Sequence, residues 1–71
     1  MITADQLRNW FTYHAPTPAQ IPAYERIRDA GLFFAGVIVE NTPEGADQTA
    51  ALRKVREAVM TANAAIACGS Q

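Results

Sequence analysis

Apolar residues recur along most of this chain at intervals of three and four, the spacing that gathers side chains on one face of an α-helix. Leu7, Trp10 and Phe11 form the first group, with Arg8 and Asn9 off the stripe. Just before it, Thr3-Ala4-Asp5-Gln6 matches a capping box, in which a threonine hydroxyl and a glutamine side chain satisfy backbone N–H groups reciprocally. A short helix ending near Phe11 is predicted, a flap or brace for the rest of the chain.

Two longer groups come next. Tyr24, Ile27, Gly31, Phe34 and Ile38 are spaced 3, 4, 3, 4, and so are Leu52, Val55, Val59, Ala62 and Ile66. Each is the seam of a helix packed on a partner helix. The first of these helices opens on a second capping box, Thr17-Pro18-Ala19-Gln20, and Pro16 with Ile21 suits a hydrophobic staple. Pro22, however, removes a backbone donor and disfavours helical geometry at Ile21, which predicts a kink or a delayed start. The helix should end near Glu40 or Asn41. The breakers Asn41-Thr42-Pro43-Glu44-Gly45 then suit the turn of an antiparallel hairpin. A third helix should run to about Ala67, with Gly69 as its C-cap. The predicted fold is all-α: a short N-terminal helix followed by a long antiparallel helical hairpin, in one domain over residues 1–71.

A second apolar set, Phe33 and Val37 on one long helix and Ala51, Ala58 and Ala65 on the other, cannot be buried by the same hairpin. Composition sharpens this. At 71 residues the core is small, yet 49% of the residues are hydrophobic, so other subunits should cover the second faces and the chain should be an obligate homo-oligomer. The lone Cys68 has no partner for an intrachain disulfide, and one cysteine with one histidine makes no closed zinc site. Neither metal nor cofactor is expected. A net charge of −1 argues against binding DNA or RNA polymers. The longest apolar run, Ala30 to Val39, is too short to span a bilayer, and no basic-then-apolar leader is seen, so a cytosolic protein without membrane association is expected.

Candidate chemistry gathers in residues 11–31. Tyr13 and His14 precede the second helix, where a ring can stack on a base and an imidazole can make one hydrogen bond, unless the pair simply closes the loop. Arg28 can reach along the edge of the helical pair to make a bidentate contact with a phosphate, or it can pair with Asp29, Glu25 or Glu57. Trp10 is either a lid or the anchor of its helix. Arg53, Lys54 and Arg56 read as a solvated face. No nucleophile-base pair and no glycine-rich phosphate loop is present, so an enzyme is not expected.

The string F-x-Y-H-x-P-T-x-x-Q-x-x-x-Y-x-x-I-R-x-A, followed by R-E-A-V-M-x-A-N-A-A-I-A, resembles the phage anti-CBASS cyclic-nucleotide sponge family, whose helical-hairpin domain is shared with anti-Thoeris sponges. The resemblance covers roughly residues 11–67. It implies a homohexamer in the cytoplasm of an infected bacterium, binding cyclic dinucleotides such as 3',3'-cGAMP, and in some members cyclic trinucleotides, without cleaving them. By motif, Tyr13 matches the family's base-contacting tyrosine and Arg28 its basic phosphate contact in a pocket between subunits; His14 and Trp10 are ligand-binding candidates from the reading of the residues alone. The chain departs from trinucleotide-holding members at Ala67-Cys68-Gly69-Ser70, where a basic residue would be expected. The competing reading is a structural or protein-interaction hairpin of a phage, with no nucleotide ligand.

Overall fold

The computed structural model describes residues 1–69, and among them the secondary structure is three helices, with no strand: α1 (Ala4–Trp10), α2 (Ile21–Asn41) and α3 (Ala46–Cys68). α1 begins as the capping box requires. The Thr3 hydroxyl accepts from the Gln6 N–H at 3.1 Å, and the Thr3 N–H donates to Gln6 Oε1 at 2.8 Å. The helix stops at Phe11.

Pro22 delays α2, as its position in the sequence suggests. Thr17 to Gln20 form a turn, closed by the Gln20 N–H on Thr17 O at 2.9 Å, and the helix starts only at Ile21, with the proline in its first turn where a missing N–H costs nothing. The second capping box is therefore half made. Gln20 Oε1 does accept from the Thr17 N–H at 3.0 Å, but the Gln20 N–H goes to the Thr17 carbonyl and not to its hydroxyl. At the far end, Asn41 Nδ2 and the Thr42 hydroxyl donate to Val37 O and Ile38 O, each at 2.7 Å, satisfying carbonyls that the helix leaves open. α3 ends at Gly69, whose φ of +76° lies in the left-handed region that glycine enters without penalty.

α2 and α3 pack as the hairpin, and α1 lies against α3. The seam is close at its centre. A Cβ placed on Gly31 would sit 2.6 Å from Val59 Cγ2, so the glycine lets the two backbones approach. Tyr24, Ile27, Ile38, Leu52, Val55, Val59, Ala62 and Ile66 are half-buried, as their periodicity predicts. Phe34 is a correction. It remains 56% exposed on the rim of the seam, while Ala35 turns inward, because helices held this close at Gly31 leave no room between them for a phenyl ring.

The chain has no interior of its own. None of its described residues is fully buried, and Leu32 and Phe33 are each 75% exposed. Its accessible surface is 5852 Å², against about 4,300 Å² for a compact globule of this mass. Its radius of gyration is 15.2 Å, against about 11 Å for a compact chain of this length. Apolar surface is part of it, with Leu32, Phe33 and Met60 exposed. Two hollows on the hairpin are floored by it, one bounded by Ile27, Phe34, Ile38, Ala51, Ala58 and Ala62, the other by Leu32, Ala35, Leu52 and Met60. Among the described residues no helix is long and apolar enough to cross a membrane.

Candidate functional site

The loop between α1 and α2 is tied down at the C-terminal end of α3, where helical carbonyls lack intrahelical donors. Asn9 Nδ2 donates to Cys68 O at 2.8 Å, and Gln20 Nε2 donates to Ile66 O at 3.3 Å. These two side chains clamp both ends of the loop to one helix terminus. Asn9 lies off the apolar stripe of α1, yet it is half-buried and makes the stronger of the two tethers. α1 is thus a brace more than a flap.

Inside this clamp His14 is half-buried, with Nε2 2.7 Å from the Asn9 carbonyl oxygen. A carbonyl can only accept, so Nε2 carries the proton in that bond. His14 is one wall of a cleft of about 380 Å³. Pro16 and Ile21, the predicted staple pair, give it apolar lining, and Tyr24, Glu25 and Arg28 line it from successive turns of α2. Asn63 of α3 completes it.

Arg28 also lines the neighbouring hollow of about 320 Å³, together with Arg56. Neither arginine has an ion-pair partner among the described residues, where the one salt bridge is Arg8 with Asp5 at 2.9 Å. The pairing of Arg28 with Asp29, Glu25 or Glu57 that its sequence neighbourhood allows is not made. Its guanidinium is available to an anion.

Of the four residues singled out in the sequence, His14 and Arg28 come together in this cleft. Tyr13 does not line it. Its ring is 85% exposed on the clamped loop, adjacent in sequence to the His14 wall. Trp10 lies on α1, 43% exposed, and is likewise no part of the cleft. Ala67 and Cys68 are half-buried in the last turn of α3, Gly69 caps it, and Ser70 falls outside the described residues. No group of histidine, cysteine, aspartate and glutamate able to hold a metal occurs among the described residues.

Sequence reasoning missed Asn63. Its Oδ1 is shielded from solvent and has no hydrogen-bond partner. A signal was available: Asn63 interrupts the apolar run of Val59, Ala62 and Ile66, and a polar residue on a buried stripe is the informative exception. Glu25 was considered only as a salt-bridge partner, and Arg56 only as part of a solvated face. Both face a hollow that Arg28 shares.

Chemically, the cleft offers donors and acceptors in separate places. Arg28 only donates and the Glu25 carboxylate only accepts, while Asn63 Oδ1, shielded from solvent, lies out of a ligand's reach. Such an arrangement can hold a ligand that carries an anion against Arg28. No curated protein and no solved structure matches the chain. The family model for the Acb2/Tad1 hairpin domain matches residues 3–67, almost its full length, so the chain belongs to the Acb2/Tad1 hairpin-domain family of anti-CBASS and anti-Thoeris sponges.

Proposed function

We propose that this protein sequesters cyclic dinucleotide immune signals, 3',3'-cGAMP among them, in the cytoplasm of an infected bacterium, without cleaving them. The observation that carries the reading is the unpaired Arg28 beside the half-buried His14 in a cleft of about 380 Å³, reached from a loop that presents the exposed Tyr13 ring. Phosphate binds the guanidinium, and the Tyr13 ring stacks on a base. Family membership supports sequestration as the activity.

The cleft is at the small end of the range for ligand sites, about 300 to 1,000 Å³, so one subunit offers half of a pocket. A ligand with two phosphates and two bases suits two such halves facing each other, Tyr13 and Arg28 coming from each. Apolar faces without cover supply the reason for the subunits to meet, and a homohexamer is the assembly we propose. Enclosure between subunits removes water from the phosphates and strengthens the charge-assisted bonds to Arg28. Cyclic trinucleotides are a second ligand class to test, since the basic residue that the family resemblance leads one to expect near the end of α3 is absent at Ala67-Cys68-Gly69-Ser70.

Native mass spectrometry with a panel of cyclic dinucleotides and trinucleotides tests the reading. Hexamers should gain whole dinucleotides, and ligand released by heat should have its starting mass. Tyr13→Ala and Arg28→Ala should each lose the adduct while the hexamer persists. An oligomer that takes up no cyclic nucleotide would instead mark a structural hairpin, and recovery of linear products would mark a phosphodiesterase.

A further inference from the structure

Arg28 lines two cavities that differ in charge. In the cleft that it shares with His14, Glu25 is the other charged lining residue, and its carboxylate repels a phosphate from that side. In the neighbouring hollow of about 320 Å³ its companion is Arg56, supplied by α3, and no acidic residue lines that hollow among the described residues. The other walls there are apolar, Leu32, Leu52 and Met60 among them. Neither guanidinium has an ion-pair partner among the described residues. Two cations on apolar walls, with no carboxylate to offset them, concentrate the positive field on this hollow and draw an anion to it.

We propose that Arg56 is a second phosphate-binding residue, and that the phosphate of the sequestered ligand lies on the Arg56 side of Arg28, held between the two guanidiniums. This rests on the proposed sequestering function and assigns the anion-binding part of that site. A phosphodiester presents two non-bridging oxygens, each able to accept more than one hydrogen bond, so a single guanidinium fork leaves part of that capacity unused. Arg28 from α2 and Arg56 from α3 supply one fork from each helix of the hairpin. The apolar walls strengthen both sets of bonds by lowering the local dielectric. Glu25 makes the cleft the poorer seat for the anion, so the charges on either side of Arg28 give the phosphate a direction.

Calorimetric titration of the full chain with 3',3'-cGAMP tests the assignment. Arg53 serves as the control, since it belongs to the same basic cluster of α3 but lines neither cavity. Arg56→Gln should weaken binding about tenfold or more, the effect of losing one charge-assisted pair, whereas Arg53→Gln should stay within about twofold of wild type. The gap between wild type and Arg56→Gln should narrow as salt is raised from about 50 to about 500 mM, which a merely structural role would not produce. Arg56→Lys keeps the charge and loses the fork, so it should bind with intermediate affinity, and it decides the matter if the glutamine variant assembles differently. Equal binding by wild type and Arg56→Gln, an equal loss in Arg53→Gln, or a gap insensitive to salt would overturn the assignment while leaving sequestration standing. So would an Arg56→Lys variant that binds as tightly as wild type. A changed oligomer mass in both Arg56 variants would also overturn it, by marking Arg56 as a contact between subunits. Wild-type protein that takes up no 3',3'-cGAMP would remove both the assignment and the function on which it rests.

Discussion

Replacing Gly31 by alanine measures how closely the hairpin is shut. The new Cβ would lie 2.6 Å from Val59 Cγ2, about 1 Å inside the usual separation of two carbons. The Val59 methyl cannot easily swing aside, because a β-branched side chain in a helix has one strongly preferred rotamer. The helices must part instead, loosening the seam at its centre, which costs about 1–3 kcal/mol for overpacking of this kind. Alanine returns about 0.8–1.0 kcal/mol through better helix propensity. The net loss is then about 1 kcal/mol. Gly36 is an internal control on the same helix: a Cβ there meets nothing within 4 Å, so Gly36→Ala collects the propensity gain alone. The two variants should differ by about 2 kcal/mol, or roughly 10 °C in Tm for a chain of this size. Thermal unfolding followed by far-UV circular dichroism, at one protomer concentration because subunit association contributes to stability, reads the difference. Should Gly31→Ala melt at or above Gly36→Ala, the close approach at Gly31 would be refuted.

Asn9→Ala removes the 2.8 Å bond to Cys68 O and should cost about 1 kcal/mol. Hydrogen exchange should speed up in α1 and the loop carrying Tyr13, with the centre of the hairpin unaffected; unchanged protection of α1 would show that Asn9 is not the tether. Because no described residue is fully buried within one chain, Tm should rise steadily as protomer concentration is raised a hundredfold, and a constant Tm would mean that the single chain is stable by itself.

Local physics made much of this protein legible before its structure. The Thr3 cap, the delay imposed by Pro22, the breakers at 41–45 and the Gly69 terminus all act through backbone groups a few residues apart, so the residues alone determine them. The seam followed from period, since side chains three and four apart share a helix face whatever lies opposite. The motif blocks led to the family, which the match over residues 3–67 then established. His14 and Arg28 were visible as chemistry, but their meeting in one cleft was not. That depends on where the loop is fastened, and the fastening is by Asn9 and Gln20 to carbonyls of Cys68 and Ile66, 59 and 46 residues away. Periodicity also put Phe34 in the seam, and only the spacing of the helices at Gly31 excluded it. Asn63 shows the same division. Its sequence marks a polar residue on an apolar stripe, but whether its oxygen has a partner depends on every atom that the fold brings near it. Helix identity is settled between neighbours in the chain. Clefts, tethers and unpaired acceptors are settled between residues that only the folded structure makes neighbours.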